Sequence, residues 1–436
     1  MTVTAIIAEY NPFHLGHAHH LKEAKRLTGA DALVVVMSGD FTQRGTPAIL
    51  DKYARTRMAL ACGADLVLEL PVRFACASAE AFAGGAVSIL DSLGCVDWLC
   101  FGSECGHLEE LELAAELLLE LENDPLCQKR LQEGLRRGLS FPAARNAALE
   151  GIGDASCLRL LQSPNNILGT EYLKALKKRK SPIRPVTIPR LGSGYHDEAL
   201  NKEAPSSATA IRALLRGGKG LDAVRPYVPK TVWAVWEEES QKGGLLTELD
   251  FSGLLHYRLL MLEQDRLTRF QEPPGSKGEG RGTELKNPFS SFADVSGDLA
   301  DKILRSISAF QDWNQFCSLL QSRDLTWTRV SRCMAHILLG LKQKELEASR
   351  RDGFASYIRI LGFSKNAADS GLLSLIKRSA ATAPLAKLAD AEKRLPAQAL
   401  PLLEEEIRAS HIYQSVSSQK YGKPFLNEYT RSVVLF

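Results

Sequence analysis

His14 and His17 stand three residues apart in the run Asn11-Pro12-Phe13-His14-Leu15-Gly16-His17, a spacing that puts two imidazoles on one side of a helical turn. Imidazole N–H groups donate to phosphate oxygens, and Gly16 between them has no side chain to hold an anion away from the backbone. Val3, Ile6 and Ile7 read as a short buried strand before this run, and Asn11-Pro12 breaks it. His17, Leu21, Ala24 and Leu27 read as one face of a helix that ends at Gly29. The free N–H groups and dipole at such a helix start make an anion site. The chemistry expected is phosphate handling at a strand-to-helix turn, without the lysine of a P-loop.

Further candidates lie downstream. Ser206-Ser207-Ala208-Thr209-Ala210-Ile211-Arg212 opens a helix with hydroxyls where caps or phosphates would meet them. Lys22 and Lys25 follow the histidines and either add charge to the site or are solvated. Gly102 ends a strand, where a glycine lets an adenine or ribose approach, although an ordinary strand end looks the same. Asn165 and Asn166 either contact a nucleotide or cap their helix. Arg190 either meets phosphate or base or pairs with Glu198, and Leu191 follows it into a Gly-rich turn.

The elements that must position these residues alternate. Apolar runs at 32–37, 66–70 and 97–101 read as strands after the first, separated by helices over 51–62 and 78–93. Four strand-helix repeats in about a hundred residues describe an α/β fold, a doubly wound parallel sheet. Ligands in such sheets sit beyond the carboxyl ends of the strands, so the loops 10–17, 38–45 and 102–104 are the site candidates. Residues 109–149 read as helical, and 184–190, with Pro185 and Pro189, as an edge strand. From about 245 onward amphipathic helices dominate, with almost no strand signal before 431–436, and the Gly- and Pro-rich stretch 272–288 reads as a mobile linker.

Composition sets outer bounds. A chain of 436 residues has room for two or three domains, and 45% hydrophobic with 24% charged residues is ordinary for a globular protein. No apolar run reaches the roughly 18 residues of a membrane span, and the first residues carry no signal-peptide pattern; a cytoplasmic protein without membrane contact is expected. A net charge of +3 is too small to argue for nucleic acid by itself. The clusters Lys177-Lys178-Arg179-Lys180, Arg136-Arg137, Arg350-Arg351 and Lys377-Arg378 read first as solvated helix ends and leave RNA binding open. Nine cysteines without a C-x-x-C read as reduced thiols, and no zinc or other metal ligand set is expected.

In this context the His-Leu-Gly-His run resembles the HIGH motif of the nucleotidyltransferase superfamily, with Leu15 in the isoleucine position, and Ser-Ala-Thr-Ala-Ile-Arg resembles the superfamily's S-[ST]-T-x-[IV]-R signature. The strings AEYNPFHLGH, MSGDFTQRG, DLVLELP, PNNILGTEYLKAL and SATAIR, in order, resemble the bacterial tRNA(Met) cytidine acetate ligases. The resemblance implies a Rossmann-like catalytic domain over 1–240 followed by a mainly helical, tRNA-binding domain over 245–436. It implies an enzyme that converts acetate and ATP to acetyl-adenylate and acetylates N4 of the wobble cytidine of elongator tRNA(Met), with Mg²⁺ accompanying ATP and no obligatory protein partner.

By the same resemblance His14 and His17 are catalytic. The nucleotide lies along Ile7, Ala8, Glu9, Tyr10, Asn11, Pro12, Phe13, His14, Leu15, Gly16, His17, Ala18, His19 and His20. Gly102, Asn165, Asn166, Arg190 and Leu191 complete that contact, with Ser207, Thr209 and Arg212 on the β- and γ-phosphates. Asp40 and Arg44 are expected at the acceptor pocket. Two rivals share these residues: a small-molecule adenylyltransferase of a cofactor pathway, which would need no large helical half, and a non-catalytic RNA-binding protein, which would not need His14, Gly16 and His17.

Overall fold

The computed structural model describes residues 1–137, 139, 141–150, 155–190, 208–216, 220–243, 245–271 and 287–436. The first four strands are β1 (Val3–Ala8), β2 (Ala32–Ser38), β3 (Leu66–Leu70) and β4 (Trp98–Ser103). They are followed by β5 (Arg184–Pro189), β6 (Ile360–Phe363) and β7 (Val434–Leu435), and the seven form one sheet in the order β5-β4-β1-β2-β3-β6-β7. The first five are parallel, with Val3 opposite Ala32 and Thr4 opposite Trp98 fixing the register around β1. Every residue of β2 and β3 is buried, which is why they read as unbroken apolar runs: helices cover both faces. The chain goes from β1 to β2 on one side and returns to β4 on the other, so the switch point, where such sheets bind ligands, lies at the end of β1.

The helices that matter for the site are α1 (Leu15–Thr28), α2 (Lys52–Ala61), α3 (Ala79–Leu93), α4 (Pro164–Arg179), α5 (Ala208–Arg216), α6 (Trp327–Leu339) and α7 (Leu400–Tyr421). α1 begins two residues earlier than expected, because His14 itself is the N-cap. β5 lies at the sheet edge, as its prolines require.

The expectation that strand structure is nearly absent before 431 is corrected. β6 runs antiparallel to β3, and β7 pairs parallel to β6. Four residues with a glycine among them give no periodic signal, and Gly362 is there because a Cβ would come within 2.7 Å of Thr56 and 2.8 Å of Val434. The second half is thus mainly helical yet completes the sheet. One apolar core collects Val3, Leu66 and Leu90 together with Tyr357, Leu402 and Ile407, so packing runs across the expected boundary at 240–245. Of the stretch 272–288 only Asn287 and Pro288 are described, and there Asn287 caps a short 3-10 turn by accepting from the Phe289 N–H at 3.0 Å.

The two halves are also joined by a buried ion network. Lys52 Nζ lies 2.5 Å from Glu69, 2.7 Å from Glu428 and 3.5 Å from Glu406, and Arg359 lies 2.9 Å from Glu69 and 2.6 Å from Glu428. Burial and the neighbouring charge of Glu69 hold the Glu406 carboxyl well above its usual range. Lys52 and Arg359 thus face the carboxylates of Glu69 and Glu428 with Glu406 beside them. Among the described residues no helix is long and apolar enough to cross a membrane.

Candidate nucleotide-binding site

The turn after β1 is built by its own side chains. Asn11 Oδ1 accepts the Ile49 N–H at 2.9 Å, the Asn11-Pro12 peptide is cis, and Tyr10 and Phe13 are buried beneath His17, with ring centroids 4.9 and 5.5 Å from the imidazole. His14 Nδ1 accepts the Gly16 N–H at 3.0 Å, and His17 Nδ1 accepts the His14 N–H at 3.2 Å. This reciprocal cap stacks the two rings at 3.8 Å between centroids. With both Nδ1 atoms accepting, each neutral ring carries its proton on Nε2, which leaves two N–H donors side by side at a helix N-terminus. Gly16 is required by contact: a Cβ there would stand 2.9 Å from His14 Cε1.

The rings are held neutral. Burial, then the charges of Arg190 and Arg212, push His14 down to about 4. Burial and the adjoining His14 and Arg190 hold His17 well below the usual imidazole range. His20, 3.6 Å from Cys100 Sγ, is likewise pushed down to about 4 by burial and by Arg190. Leu15, Gly16, Ala18 and His19 are exposed or half-buried on the first turns of α1, while Ile7 and Ala8 are the last residues of β1.

Across β4 a relay places Arg190. Its Nη1 donates to Asn165 Oδ1 at 3.2 Å, and Asn165 Nδ2 donates to Glu104 at 2.6 Å. Glu104 also accepts the backbone N–H groups of Asn165 (3.1 Å) and Asn166 (2.7 Å), so this carboxylate, and not the asparagine pair, caps α4. Asn166 is buried: its Oδ1 accepts the N–H groups of Glu104 and Cys105 at 2.9 and 3.1 Å, and its Nδ2 donates to Leu160. Its amide therefore holds the turn after β4, and of the pair only Asn165 faces Arg190. Gly102 leaves room for the Arg190 stem, since a Cβ would lie 3.1 Å from its Cγ.

On the other side of the histidines, Arg212 donates to Asn11 O at 2.5 Å and to Thr209 Oγ1 at 3.0 Å. Burial, then the charge of Arg44, lowers its pKa to about 10. Arg44 is exposed and reaches the same Thr209 hydroxyl at 3.5 Å. Asp40, the other residue expected at the acceptor pocket, is only 2% exposed; its carboxylate accepts the Lys52 N–H at 2.8 Å, and burial pushes it up to about 6. Its position fixes the start of α2 and gives it no face toward an open pocket. Leu191, Ser207 and Glu198 lie outside the described residues.

Glu9, expected along the nucleotide, and Arg55, which the sequence did not point to, support the edge. Glu9 Oε1 accepts the Gln43 N–H at 2.6 Å, tying the turn after β1 to the loop after β2. Arg55, fully buried on α2, donates to the carbonyls of Glu9 (2.7 Å), Ser38 (3.0 Å), Leu50 (3.0 Å) and Gly39. An arginine within the apolar stripe Tyr53, Ala54, Met58 and Ala59 is the one signal that could have found it. The basic cluster in the last turn of α4 is engaged at home: Lys177 with Glu116 and Lys178 with Glu122, each at 2.5 Å, and Arg179 with Asp91 at 3.0 Å.

Comparison with known proteins agrees with this geometry. A family model described as HIGH Nucleotidyl Transferase matches residues 1–274 and 282–426. The tRNA(Met) cytidine acetate ligase of Acetivibrio thermocellus is 38% identical over all of both chains, and that of Caldanaerobacter subterraneus subsp. tengcongensis is 39% identical over 95% of each. The crystal structure of Thermotoga maritima TmcAL bound with alpha-thio ATP superposes with a TM-score of 0.85 at 30% identity, covering all of both chains. The apo form of the same protein gives 0.86.

Proposed function

Because the chain belongs to the HIGH nucleotidyl transferase family, we propose that it activates acetate with ATP and passes the acetyl group to N4 of the wobble cytidine of elongator tRNA(Met). One observation carries the reading: two stacked, neutral imidazoles whose Nδ1 atoms are taken by the cap, which leaves Nε2–H to donate at the start of α1, with the charges of Arg190 and Arg212 acting on His14. These are donors and cations of the kind a nucleoside triphosphate needs.

The nucleoside lies toward Gly102 and Arg190, the α-phosphate at His14 and His17, and the β- and γ-phosphates toward Thr209 and Arg212. An acetate oxygen attacks the α-phosphorus, the bond to the bridging oxygen breaks, and acetyl-adenylate and pyrophosphate form. The chain's task is to position and to neutralise charge. Each imidazole donor placed on developing charge is worth about 2.7–4 kcal/mol, or 10²–10³ in rate. Cytidine N4 then attacks the acetyl carbon, AMP departs and the amine loses its proton. An exocyclic amine is a weak nucleophile, and AMP is a far better leaving group than the oxygen of free acetate.

Mg²⁺ would arrive with ATP and would supply charge neutralisation on the phosphates; among the described residues no group of three or more His, Cys, Asp or Glu side chains is placed to hold a metal ion. Residues 1–240 carry the nucleotide chemistry and 245–436 the RNA contact; in support, Ser331 on α6 donates to Gly45 O at 2.8 Å, which seats the loop after β2 directly on the helical half. The test is exchange of labelled pyrophosphate into ATP, with and without acetate and with and without tRNA. Exchange that requires acetate is the expected result; acetate-independent exchange, or none while ATP still binds, overturns the proposal.

A further inference from the structure

We propose that Arg44 is a catalytic residue of adenylate formation: together with Arg212 it holds the departing pyrophosphate and does not line the acetate pocket. The inference rests on the acetate-activation reading and adds a residue to its leaving-group side.

The Thr209 hydroxyl is shared by two guanidinium groups, Arg212 Nη2 at 3.0 Å and Arg44 Nη1 at 3.5 Å. Two like charges brought to one oxygen repel each other, and burial of Arg212 sharpens the repulsion. Neighbouring Arg216 has its counter-charge within the protein, Glu248 at 2.7 Å. Among the described residues neither Arg44 nor Arg212 is in an ion pair, although the charges of Glu9 and Glu248 act on Arg212 from farther off. Two guanidinium groups that converge on one hydroxyl without a direct carboxylate partner among the described residues are a site for a multiply charged anion.

The pairing is held by the fold. Gly45, next to Arg44, has φ +71, and a Cβ on it would fall 2.2 Å from the Arg332 backbone, so the loop lies flat on α6. The Ser331 Oγ bond to Gly45 O and the Thr42 N–H bond to Thr46 O at 3.0 Å close the loop from both sides. Thr209 and Arg212 are likewise fixed by the Arg212 bond to Asn11 O.

Stereochemistry decides which substrate Arg44 meets. In-line displacement at phosphorus puts the entering and the leaving oxygen on opposite sides. A side chain that shares an oxygen with Arg212 stands on Arg212's side, and acetate must enter from the other. As the acetate oxygen bonds to the α-phosphorus, the electron pair of the breaking bond passes to the pyrophosphate oxygen. Arg44 and Arg212 take up the charge, and no proton transfer is needed.

The experiment is acetate-dependent pyrophosphate exchange by the full chain carrying Arg44→Ala or Arg44→Lys, varying pyrophosphate and acetate separately. Arg44→Ala is expected to raise KM for pyrophosphate at least tenfold with KM for acetate within twofold, and Arg44→Lys to recover part of the loss. A raised KM for acetate with an unchanged KM for pyrophosphate, or no change in either, overturns the proposal. If exchange by Arg44→Ala is too slow to fit, titration calorimetry with pyrophosphate decides: wild-type-like binding overturns it. Absence of acetate-dependent exchange in the wild type would instead sink the acetate reading itself.

Discussion

Replacing His14 with Ala removes two separable contributions from one residue. As the N-cap of α1, His14 accepts the Gly16 N–H, and losing a cap costs about 1 kcal/mol; in a chain of this size that lowers Tm by about 1 °C. As a donor through Nε2, it is expected to contribute 10²–10³ in the rate of adenylate formation, about 2.7–4 kcal/mol. His14→Asn separates the two, because asparagine is among the best N-caps but cannot place a donor where the imidazole Nε2 stands. The assays are thermal melting and acetate-dependent pyrophosphate exchange at saturating ATP. The expected pattern is that His14→Ala loses both Tm and rate, while His14→Asn regains Tm and stays slow. A fast His14→Asn enzyme would mean that the imidazole acts only as a cap, and a loss below tenfold in His14→Ala would refute the donor role.

Other consequences are equally open to measurement. With His14 and His20 pushed down to about 4 and His17 also depressed, the unfolded chain takes up protons near 6.5 while the folded one does not. Stability from these groups is therefore complete above about 6.5 and is lost as pH falls through about 4. Denaturant melts should show that decline, and kcat/KM for ATP should have no inflection near 6.5; an inflection there would contradict neutral imidazoles. Glu104→Gln removes the charge that anchors Asn165 and so loosens Arg190; KM for ATP should rise about tenfold, ~1.4 kcal/mol, with kcat nearly unchanged, and a fall in kcat at constant KM would refute the relay. Lys52→Met leaves Glu69 and Glu428 buried with only Arg359, and chemical denaturation should show a loss of about 3–5 kcal/mol; a loss under 1 kcal/mol would mean the network is not held as ions.

What the sequence disclosed depended on periodicity and on punctuation. β1 to β4 and their helices were legible because each is an apolar run bounded by Gly, Pro or Asp, and β5 because prolines belong at edges. His14, Gly16 and His17 stood out because their spacing matters within one turn. β6 escaped because four residues carry no period. The cap on α4 escaped because it comes from Glu104, 60 residues away in sequence from Pro164, the first residue of the helix, and local capping rules look only at adjacent positions. Arg55 escaped because its partners are backbone carbonyls, which every sequence possesses alike. The burial of Asp40 was not legible because nothing in its neighbours tells an exposed loop carboxylate from one that accepts the first N–H of α2.

The antiparallel addition of β6 to β3 also sets an order of events on the ribosome. β3 is complete at Leu70, but the strand that covers its outer edge begins at Ile360. At about 5–20 residues per second, the interval of about 290 residues between them takes on the order of 15–60 s. Throughout that time the first half presents an unpaired strand that is apolar except for Glu69, the kind of edge that recruits other chains. The carboxylate of Glu69, on that same strand, is at that stage already beside Lys52 of α2 but still without Arg359. Charged residues on an open edge discourage pairing with a neighbour, so the Glu69–Lys52 pair that later forms part of the buried network also marks the edge while it is uncovered.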